Sequence, residues 1–206
     1  MNARAKKAHP PTLEWAPLDD LLLDPNNPRL SRNERDPNLP QDQVQQLIER
    51  QWTLHELAVS FLENGYWPQE AVIVVEEEIY GRRQKVVVEG NRRLAALRKL
   101  YKIATKQITP DRKWSEIAEP SDWKSIKRMC ERIPYIKMES RAVVSSYLGF
   151  RHVSGIKEWR PAEKAEFISR LIENDGLGYD DVRKRIGSTM EAVRRLYVTF
   201  SLLTAR

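Results

Sequence analysis

The pattern of hydrophobic and polar positions along the first half of the chain predicts alternating helices and strands. Between residues 44 and 62 apolar residues recur at steps of three and four, which is typical of one amphipathic helix, and Asn64-Gly65 would end it. Two runs rich in β-branched residues follow, at residues 71–75 and 85–89, and each predicts a buried strand. Gly81-Arg82 lies between them and suits a hairpin turn.

The pattern becomes purely helical towards the end of the chain. Residues 104–132 predict short helices, and residues 133–138 predict a last strand, with Pro134 at an edge or at the start of that strand. After Ser140 the apolar spacing is helical, and its breaks fall near Gly155 and Pro161 and at Asp175-Gly176. The sequence therefore predicts an α+β fold, in which a small mixed-sheet domain is followed by an all-α domain.

Composition excludes several classes of protein. The 206 residues are 41% hydrophobic and 31% charged, which is too apolar for a wholly disordered chain. No apolar run is long enough for a membrane span, and residues 1–11 lack the apolar segment of a secretory signal, so we expect a cytoplasmic protein without a membrane partner. The single cysteine, Cys130, excludes an internal disulfide, and the histidine spacing matches no metal motif. No metal site is therefore predicted.

The net charge of +6 is concentrated in one segment. Residues 81–102 contain eight basic residues and one acid, Glu89, so this segment carries +7 and the remainder of the chain −1. Such a segment is either a solvated face or the binding site of an anion. In the second case the anion would be held at one place and not over the whole surface.

The centre of the basic segment is a strand that runs into a helix through one glycine, Gly90. Glycine permits a tight turn and the close approach of a ligand. The first helical turn has free backbone N–H groups and the positive end of the helix dipole, yet Arg92 and Arg93 lie there, where a cation is unfavourable by about 0.3–1 kcal/mol. A bound phosphate would explain these arginines. The alternative is that both point to water or pair with Glu89.

Residues 179–196 have the spacing of a helix-turn-helix, in which Gly187 would make the turn. The residues expected to face inward are Val182, Ile186, Val193 and Leu196. The N-terminal residues of the second helix would meet base edges, and its basic residues would meet phosphates. The DNA-facing set is Ser188, Thr189, Met190, Glu191, Arg194 and Arg195, with Ser188 or Thr189 also capping the helix. The alternative is an ordinary helical hairpin with solvated arginines.

Taken in order, these motifs resemble one protein family. Residues 90–96, G-N-R-R-L-A-A, are similar to the G-E-R-R-x-x-A motif of the ParB/RepB/Spo0J-like N-terminal domain, which shares its fold with sulfiredoxin. Residues 22–29 resemble the first box of the family, residues 57–75 its helix–glycine–strand unit and residues 133–138 its closing strand. The order of these segments is more specific than any one of them.

The resemblance implies that a nucleotide, CTP or ATP, binds with its phosphates against the glycine turn, together with Mg²⁺. By position, its implied ligands are Asn27, Arg29, Gly90, Asn91, Arg92, Arg93, Arg151 and His152. Asn91 replaces a family acid that is linked to hydrolysis, and Arg151-His152 replaces an E-N pair that helps to bind magnesium. An amide is neither a base nor a charged metal ligand, so efficient hydrolysis is not expected, unless Glu89 compensates. Sulfiredoxin chemistry needs a cysteine at the position of Asn91, so that chemistry is not expected here.

We therefore expect a flexible leader at residues 1–11, a ParB/sulfiredoxin-like nucleotide-binding domain at residues 12–138 and a helical DNA-binding domain at residues 139–206. The expected function is ParB-like binding of double-stranded DNA, with the DNA-binding or clamp state controlled by CTP or ATP. Partition proteins of this family dimerise, so a homodimer is also expected. The alternative is a ParB-fold nuclease or NTPase in plasmid maintenance or phage defence, and a third hypothesis is an adaptor with a vestigial pocket.

Overall fold

The structure, a computed structural model, describes residues 12–118, 123–149 and 159–204. Arg151 and His152, assigned to the nucleotide site from the sequence, lie outside these ranges, as do the leader and the break near Gly155. The strands are β1 (Leu13–Ala16), β2 (Leu21–Leu23), β3 (Val72–Ile79), β4 (Arg82–Glu89) and β5 (Ile133–Met138). The helices are α1 (Gln41–Gln51), α2 (His55–Asn64), α3 (Asn91–Ala104), α4 (Arg112–Ala118), α5 (Trp123–Glu131), α6 (Arg141–Gly149), α7 (Pro161–Glu173), α8 (Tyr179–Ile186) and α9 (Met190–Thr204).

The strands form a mixed sheet in the order β1-β5-β3-β4-β2. β3 and β4 are an antiparallel hairpin, and its turn residues Tyr80 and Gly81 both have positive φ, 54° and 69°, as a type I′ turn requires. β2 runs parallel to β4, and β5 parallel to β3. Because β5 lies between β1 and β3, Pro134 marks the start of a strand and not an edge. Pro134 lies opposite Trp15 of β1, and the pairing with β3 begins at the next residue, Tyr135.

Alternate residues of β3 divide the core between the two faces of the sheet. Val72 and Val74 belong to the main core, which they share with α1, α2, α3 and α5. Ile73 and Val75 face the other way and pack against Val144 of α6. Helices α7, α8 and α9, which we call the helical lobe, have an apolar centre of their own, built on Ile168, Leu171, Val182 and Val193.

The prediction of one helix over residues 44–62 is wrong, since α1 and α2 are separated by a break at residues 52–54. Trp52 ends α1 in an extended conformation, with φ −135° and ψ 139°. The carbonyl of Thr53 is then available to the side chain of Arg92, which donates to it at 2.7 Å. Apolar spacing does not reveal the break, because α1 and α2 pack on the same core.

Candidate functional site

Gly90 joins β4 to α3 in a left-handed conformation, with φ 95° and ψ 16°. A Cβ at this position would lie 2.7 Å from Cγ1 of Val72, a distance that real side chains do not tolerate. The strand–glycine–helix turn expected from the sequence is therefore present, and its glycine is required. The first N–H groups of α3 have no partner within the helix, and no acid lies in its first turn. The turn thus presents hydrogen-bond donors and the positive end of the dipole.

A cavity of about 230 Å³ lies against this turn. Four segments line it: Asn27 and Arg29 after β2, residues 48–57 from α1 to α2, Glu70 before β3, and residues 88–93. The structure therefore brings together every described residue that the sequence assigned to the nucleotide site. The volume is below the roughly 300–1,000 Å³ that is usual for small-molecule sites, so the described residues enclose only part of a nucleotide-sized ligand.

Arg92 lines the cavity with a guanidinium whose hydrogen bonds are incomplete. Its Nη2 donates to the carbonyl of Thr53 at 2.7 Å, whereas its buried Nε has no hydrogen-bond partner within the described residues. Leaving such a donor unpaired costs about 1–3 kcal/mol, so an acceptor placed in the cavity would be stabilised. Arg29 is exposed, and in the described part of the chain its guanidinium makes no hydrogen bond or ion pair. Both arginines are available to an anion.

Arg93 is held by the protein itself. It is 9% exposed, and its Nη1 donates to the backbone carbonyl of Glu70 and, at 2.6 Å, to the Glu70 carboxylate. Its Nη2 lies 3.8 Å from the carboxylate of Glu89. Pairing with Glu89, which the sequence left as an alternative for both arginines, thus occurs for Arg93. A phosphate at this turn would meet Arg92 first, and Arg93 would have to leave Glu70 to join it.

The remaining candidates beside the turn differ in their surroundings. Asn91 is 5% exposed, and both ends of its amide are engaged: Nδ2 donates to the carbonyl of Val87 at 2.6 Å, and Oδ1 accepts from the N–H of Asp24 at 2.8 Å. Glu89, the candidate catalytic acid, lines the cavity with a carboxylate that is 17% exposed. Asn91 therefore holds backbone segments together, while Glu89 keeps an acid at the cavity wall.

Some residues of the site carry no signal in the sequence. Thr53 and Glu70 bind Arg92 and Arg93, and Trp52 forms part of the wall. Their positions depend on the α1–α2 break and on the short 3₁₀ turn at Pro68–Glu70, which no motif marks. Sequence spacing was therefore sufficient to find the arginines and insufficient to find their partners.

The helix-turn-helix spacing is realised in α8 and α9. Gly187 ends α8 in a left-handed conformation, with φ 62° and ψ 40°. Thr189 caps α9, since its Oγ1 accepts a hydrogen bond from the N–H of Ala192 at 3.2 Å. The four residues predicted to face inward, Val182, Ile186, Val193 and Leu196, all belong to the apolar centre of the helical lobe.

The predicted DNA-facing side chains lie on one stretch of the surface at the start of α9. Thr189, Glu191, Arg194 and Arg195 are exposed, whereas Ser188 and Met190 are half-buried. The guanidinium of Arg194 lies 5.9 Å from the ring of Tyr179, and that of Arg195 makes no ion pair in the described part of the chain. The first turns of α9 therefore present two accessible cations.

The helical lobe touches the sheet domain through α2. A Cβ on Gly187 would lie 2.8 Å from Cβ of Ser60, so the turn before α9 packs closely on this helix. Beside the contact, a second cavity of about 490 Å³ lies between α2, Trp67 and the lobe residues Phe167 and Ile186. Its wall shares Leu57, Glu70 and Arg93 with the first cavity. The cavity at the Gly90 turn and the helical lobe are thus connected by α2 and by the ion pair between Arg93 and Glu70.

The described residues contain neither a metal-binding cluster nor a membrane-spanning helix. Within residues 12–118, 123–149 and 159–204 no group of three or more His, Cys, Asp and Glu side chains is placed to hold a metal ion. Over the same residues no helix combines the length and the apolar character needed to cross a membrane.

Comparison with known proteins identifies the fold. No family model matches the chain, and no curated protein matches it. Among solved structures, it is similar to the C-terminally truncated chromosome-partitioning protein ParB from Caulobacter crescentus complexed with CTP-γ-S, with a TM-score of 0.55 and 16% identity over 94% of this chain and 88% of that one. The same protein complexed to the centromeric parS site aligns with a TM-score of 0.34 and 15% identity, over 93% and 77%. The first similarity shows a ParB-like α+β fold, as the sequence predicted.

Proposed function

We propose that this protein is a ParB-like DNA-binding protein whose DNA-binding or clamp state is controlled by a nucleotide, CTP or ATP, bound at the Gly90 turn. The observation that carries the proposal is the buried Nε of Arg92, which has no partner within the described residues and lies in a cavity at a helix N-terminus. Backbone N–H groups and an arginine fork together form a binding site suited to phosphate oxygens. Residues 12–138 would hold the nucleotide, and residues 139–206 would bind DNA.

The fold supports a nucleotide as the source of that phosphate. The solved structure with the ParB-like fold is a complex with CTP-γ-S. In this chain, Asn27, Arg29 and residues 90–93 line the cavity at the Gly90 turn, and these are the residues we assign to the nucleotide. Arg151 and His152 are also proposed to contact it, with Mg²⁺ as the accompanying ion. CTP is the first nucleotide to test, and ATP the second.

DNA binding is assigned to the start of α9. Its exposed side chains Thr189, Glu191, Arg194 and Arg195, with half-buried Ser188 and Met190, occupy the positions that read a major groove in a helix-turn-helix. Arginine contacts to phosphates would position the helix, and the residues of its first turn would meet the bases. A homodimer would place two such helices on one duplex.

Helix α2 provides a physical link between the two functions. Arg92 binds the carbonyl of Thr53 just before α2 begins, and Ser60 of α2 packs against Gly187 in the turn before α9. A phosphate that competes for Arg92 would weaken its bond to Thr53. Nucleotide and DNA would then each favour a different arrangement of the helical lobe, which is a switch between two states.

The nucleotide site is tested by titrating labelled CTP and ATP, with and without Mg²⁺, into the wild type and Arg92→Ala. Wild type should bind, and Arg92→Ala should bind at least about tenfold more weakly, because it loses a charge-assisted contact worth about 1.5–3 kcal/mol. Arg82→Ala is the matched control, since this exposed arginine lies in the same basic segment but outside the cavity. Absence of binding by the wild type, or an equal loss in both variants, would contradict the assignment.

The enzymatic alternative has one observation in its favour, the carboxylate of Glu89 at the cavity wall. Such an acid is placed to accept a proton from a water molecule beside a bound phosphate. Release of phosphate from CTP or ATP, or metal-dependent cleavage of DNA, that disappears in Glu89→Gln while nucleotide binding persists would favour a ParB-fold NTPase or nuclease. Turnover unaffected by Glu89→Gln would exclude Glu89 as the proton acceptor, and absence of turnover in the wild type would remove this alternative.

A further inference from the structure

The side chain of Asn91 belongs to a chain of hydrogen bonds that runs from β4 to α6. Asn91 is the first residue of α3 and follows Gly90 directly. Its amide donates to the carbonyl of Val87 in β4 at 2.6 Å and accepts from the N–H of Asp24 after β2 at 2.8 Å. One side chain therefore ties the phosphate turn to the segment that carries Asn27 and Arg29.

The next link of the chain is the carboxylate of Asp24, which is completely buried. Its two oxygens accept hydrogen bonds from Nη1 and Nη2 of Arg141, both at 2.7 Å, and one of them also accepts from the N–H of Asn26 at 2.9 Å. A buried carboxylate with a bidentate arginine and a backbone donor is well satisfied, and removing either partner leaves a costly unpaired group.

Arg141 completes the chain at the first residue of α6. Its Nε and Nη2 donate to the carboxylate of Glu77 in β3 at 2.7 and 2.9 Å, in addition to the bonds with Asp24. Burial alone would lower the pKa of Arg141, but the hydrogen bonds that it donates to Asp24 and Glu77 outweigh burial and raise that pKa. The guanidinium therefore stays charged, and α6 is fixed to both β2 and β3.

We infer that Asn91 is a positioning residue: through Asp24 and Arg141 it makes the phosphate turn, the Asn27–Arg29 segment and the start of α6 a single unit. The amide is needed because one group must donate to Val87 while the other accepts from Asp24, and an ionised carboxylate cannot donate. Asn91, which replaces the acid of the family motif, therefore positions the backbone and does not transfer a proton. This inference rests on the proposed phosphate site, and it adds that occupancy of the site is transmitted to α6.

A double-mutant cycle on nucleotide affinity tests the link. Asn91→Ala and Arg141→Gln should each weaken binding of CTP, and the double variant should bind no more weakly than the worse single variant. Its Kd should therefore be about tenfold lower than the product of the two single effects would give. The measurement uses a temperature at which circular dichroism shows every variant fully folded. Arg83→Gln is the matched control, since it removes an ion pair with Glu76 on the same sheet, and its effect should add to that of Asn91→Ala. Additive losses for Asn91 and Arg141 would overturn the inference.

Hydrogen exchange on the ligand-free protein separates this inference from the proposed function. Asn91→Ala should speed exchange of the amides of α6, whereas Arg83→Gln should leave them unchanged. If Asn91→Ala does not fold, Arg141→Gln should speed exchange at residues 91–94 instead. A wild type that binds no nucleotide but shows this pattern would refute the function and retain the link; unchanged exchange in α6 would refute the link.

Discussion

Arg92 and Arg93 are neighbours in the sequence and have different surroundings in the fold. Both were expected to meet a phosphate, since both lie in the first turn after Gly90. Arg92 keeps an unpaired buried Nε at the cavity, while Arg93 is occupied by Glu70 and lies near Glu89. The sequence predicts where these cations are, and the tertiary partners decide which of them is available.

Replacement of Gly90 by alanine tests the need for glycine in the turn. The left-handed backbone costs an ordinary residue about 1–2 kcal/mol, and the new Cβ would also lie 2.7 Å from Val72. We expect Gly90→Ala to lower the free energy of unfolding, measured with urea, by more than Gly81→Ala does. Gly81 is the control because its φ is also positive, at 69°, with open space around it. Equal losses would show that the close approach to Val72 is unimportant.

Burial of Cys130 predicts a loss of stability in alkali. Burial raises the pKa of its thiol to about 12, whereas an unfolded thiol titrates near about 8.5. The unfolded chain therefore loses this proton first, so the stabilisation is complete below about pH 8.5 and decreases as pH rises towards the folded pKa. Between about pH 7.5 and 10 the free energy of unfolding should therefore fall by about 2 kcal/mol through this thiol.

The measurement is urea unfolding at these two pH values for the wild type and Cys130→Ala. Tyr66 and Tyr135 also have pKa values raised to about 12, chiefly by burial, so both proteins should lose stability in alkali. The loss should be smaller in the variant, because it lacks the thiol. An identical fall in both would show that Cys130 does not titrate differently on unfolding.

At the scale of elements, apolar periodicity predicts helix and strand identity better than their limits. It identified the helix-turn-helix, with Gly187 at the turn and the right residues inside. It missed the break at residues 52–54, where both sides of the break face the same core. It also made β3 too short, because residues 76–79 are held by pairing with β4 across the hairpin and not by an apolar run.

Gly187→Ala tests the packing of the α8–α9 turn on α2. The substitution should destabilise the protein through its left-handed φ of 62° and through contact with Ser60, 2.8 Å from the new Cβ. Gly176→Ala is the control, because Gly176 has a similar φ of 67° and nothing within 4 Å of a Cβ. We expect the control to cost about 1–2 kcal/mol in urea unfolding and Gly187→Ala to cost more. A smaller cost for Gly187→Ala would mean that the lobe moves away from α2 without penalty.

At the scale of the whole molecule, several cations of the basic segment are paired with acids from elsewhere in the chain. Lys99 pairs with Glu49 at 2.7 Å and Lys102 with Asp42 at 2.6 Å, and the hydrogen bond from Lys102 lowers the pKa of Asp42. Both acids belong to α1, about fifty to sixty residues away along the sequence. The charge of +7 counted along the segment therefore overstates the positive charge that the folded surface presents there.

This compensation predicts that α3 contributes little to DNA binding. Lys99→Gln and Lys102→Gln should change the affinity for a labelled duplex less than about twofold and cost about 0.2–1 kcal/mol of stability each. Arg195→Gln should weaken binding and reduce the slope of log affinity against log salt by about 1, since it removes one phosphate contact. Fluorescence anisotropy over a range of salt concentrations measures both. A reduced slope for the lysine variants would place the DNA on α3.

The sequence by itself determined the α+β class, the strand–glycine–helix turn and the helix-turn-helix, because each depends on local spacing and on residues with special backbone geometry. Tertiary structure alone decided that Arg92 keeps an unpaired Nε while Arg93 is occupied, that Asn91 joins Val87 to Asp24, and that α2 connects the two candidate sites. These contacts join residues from separate parts of the chain, and hydrogen bonds depend on distance and direction in space. The spacing of residues along the sequence determines neither the distances nor the directions of these bonds.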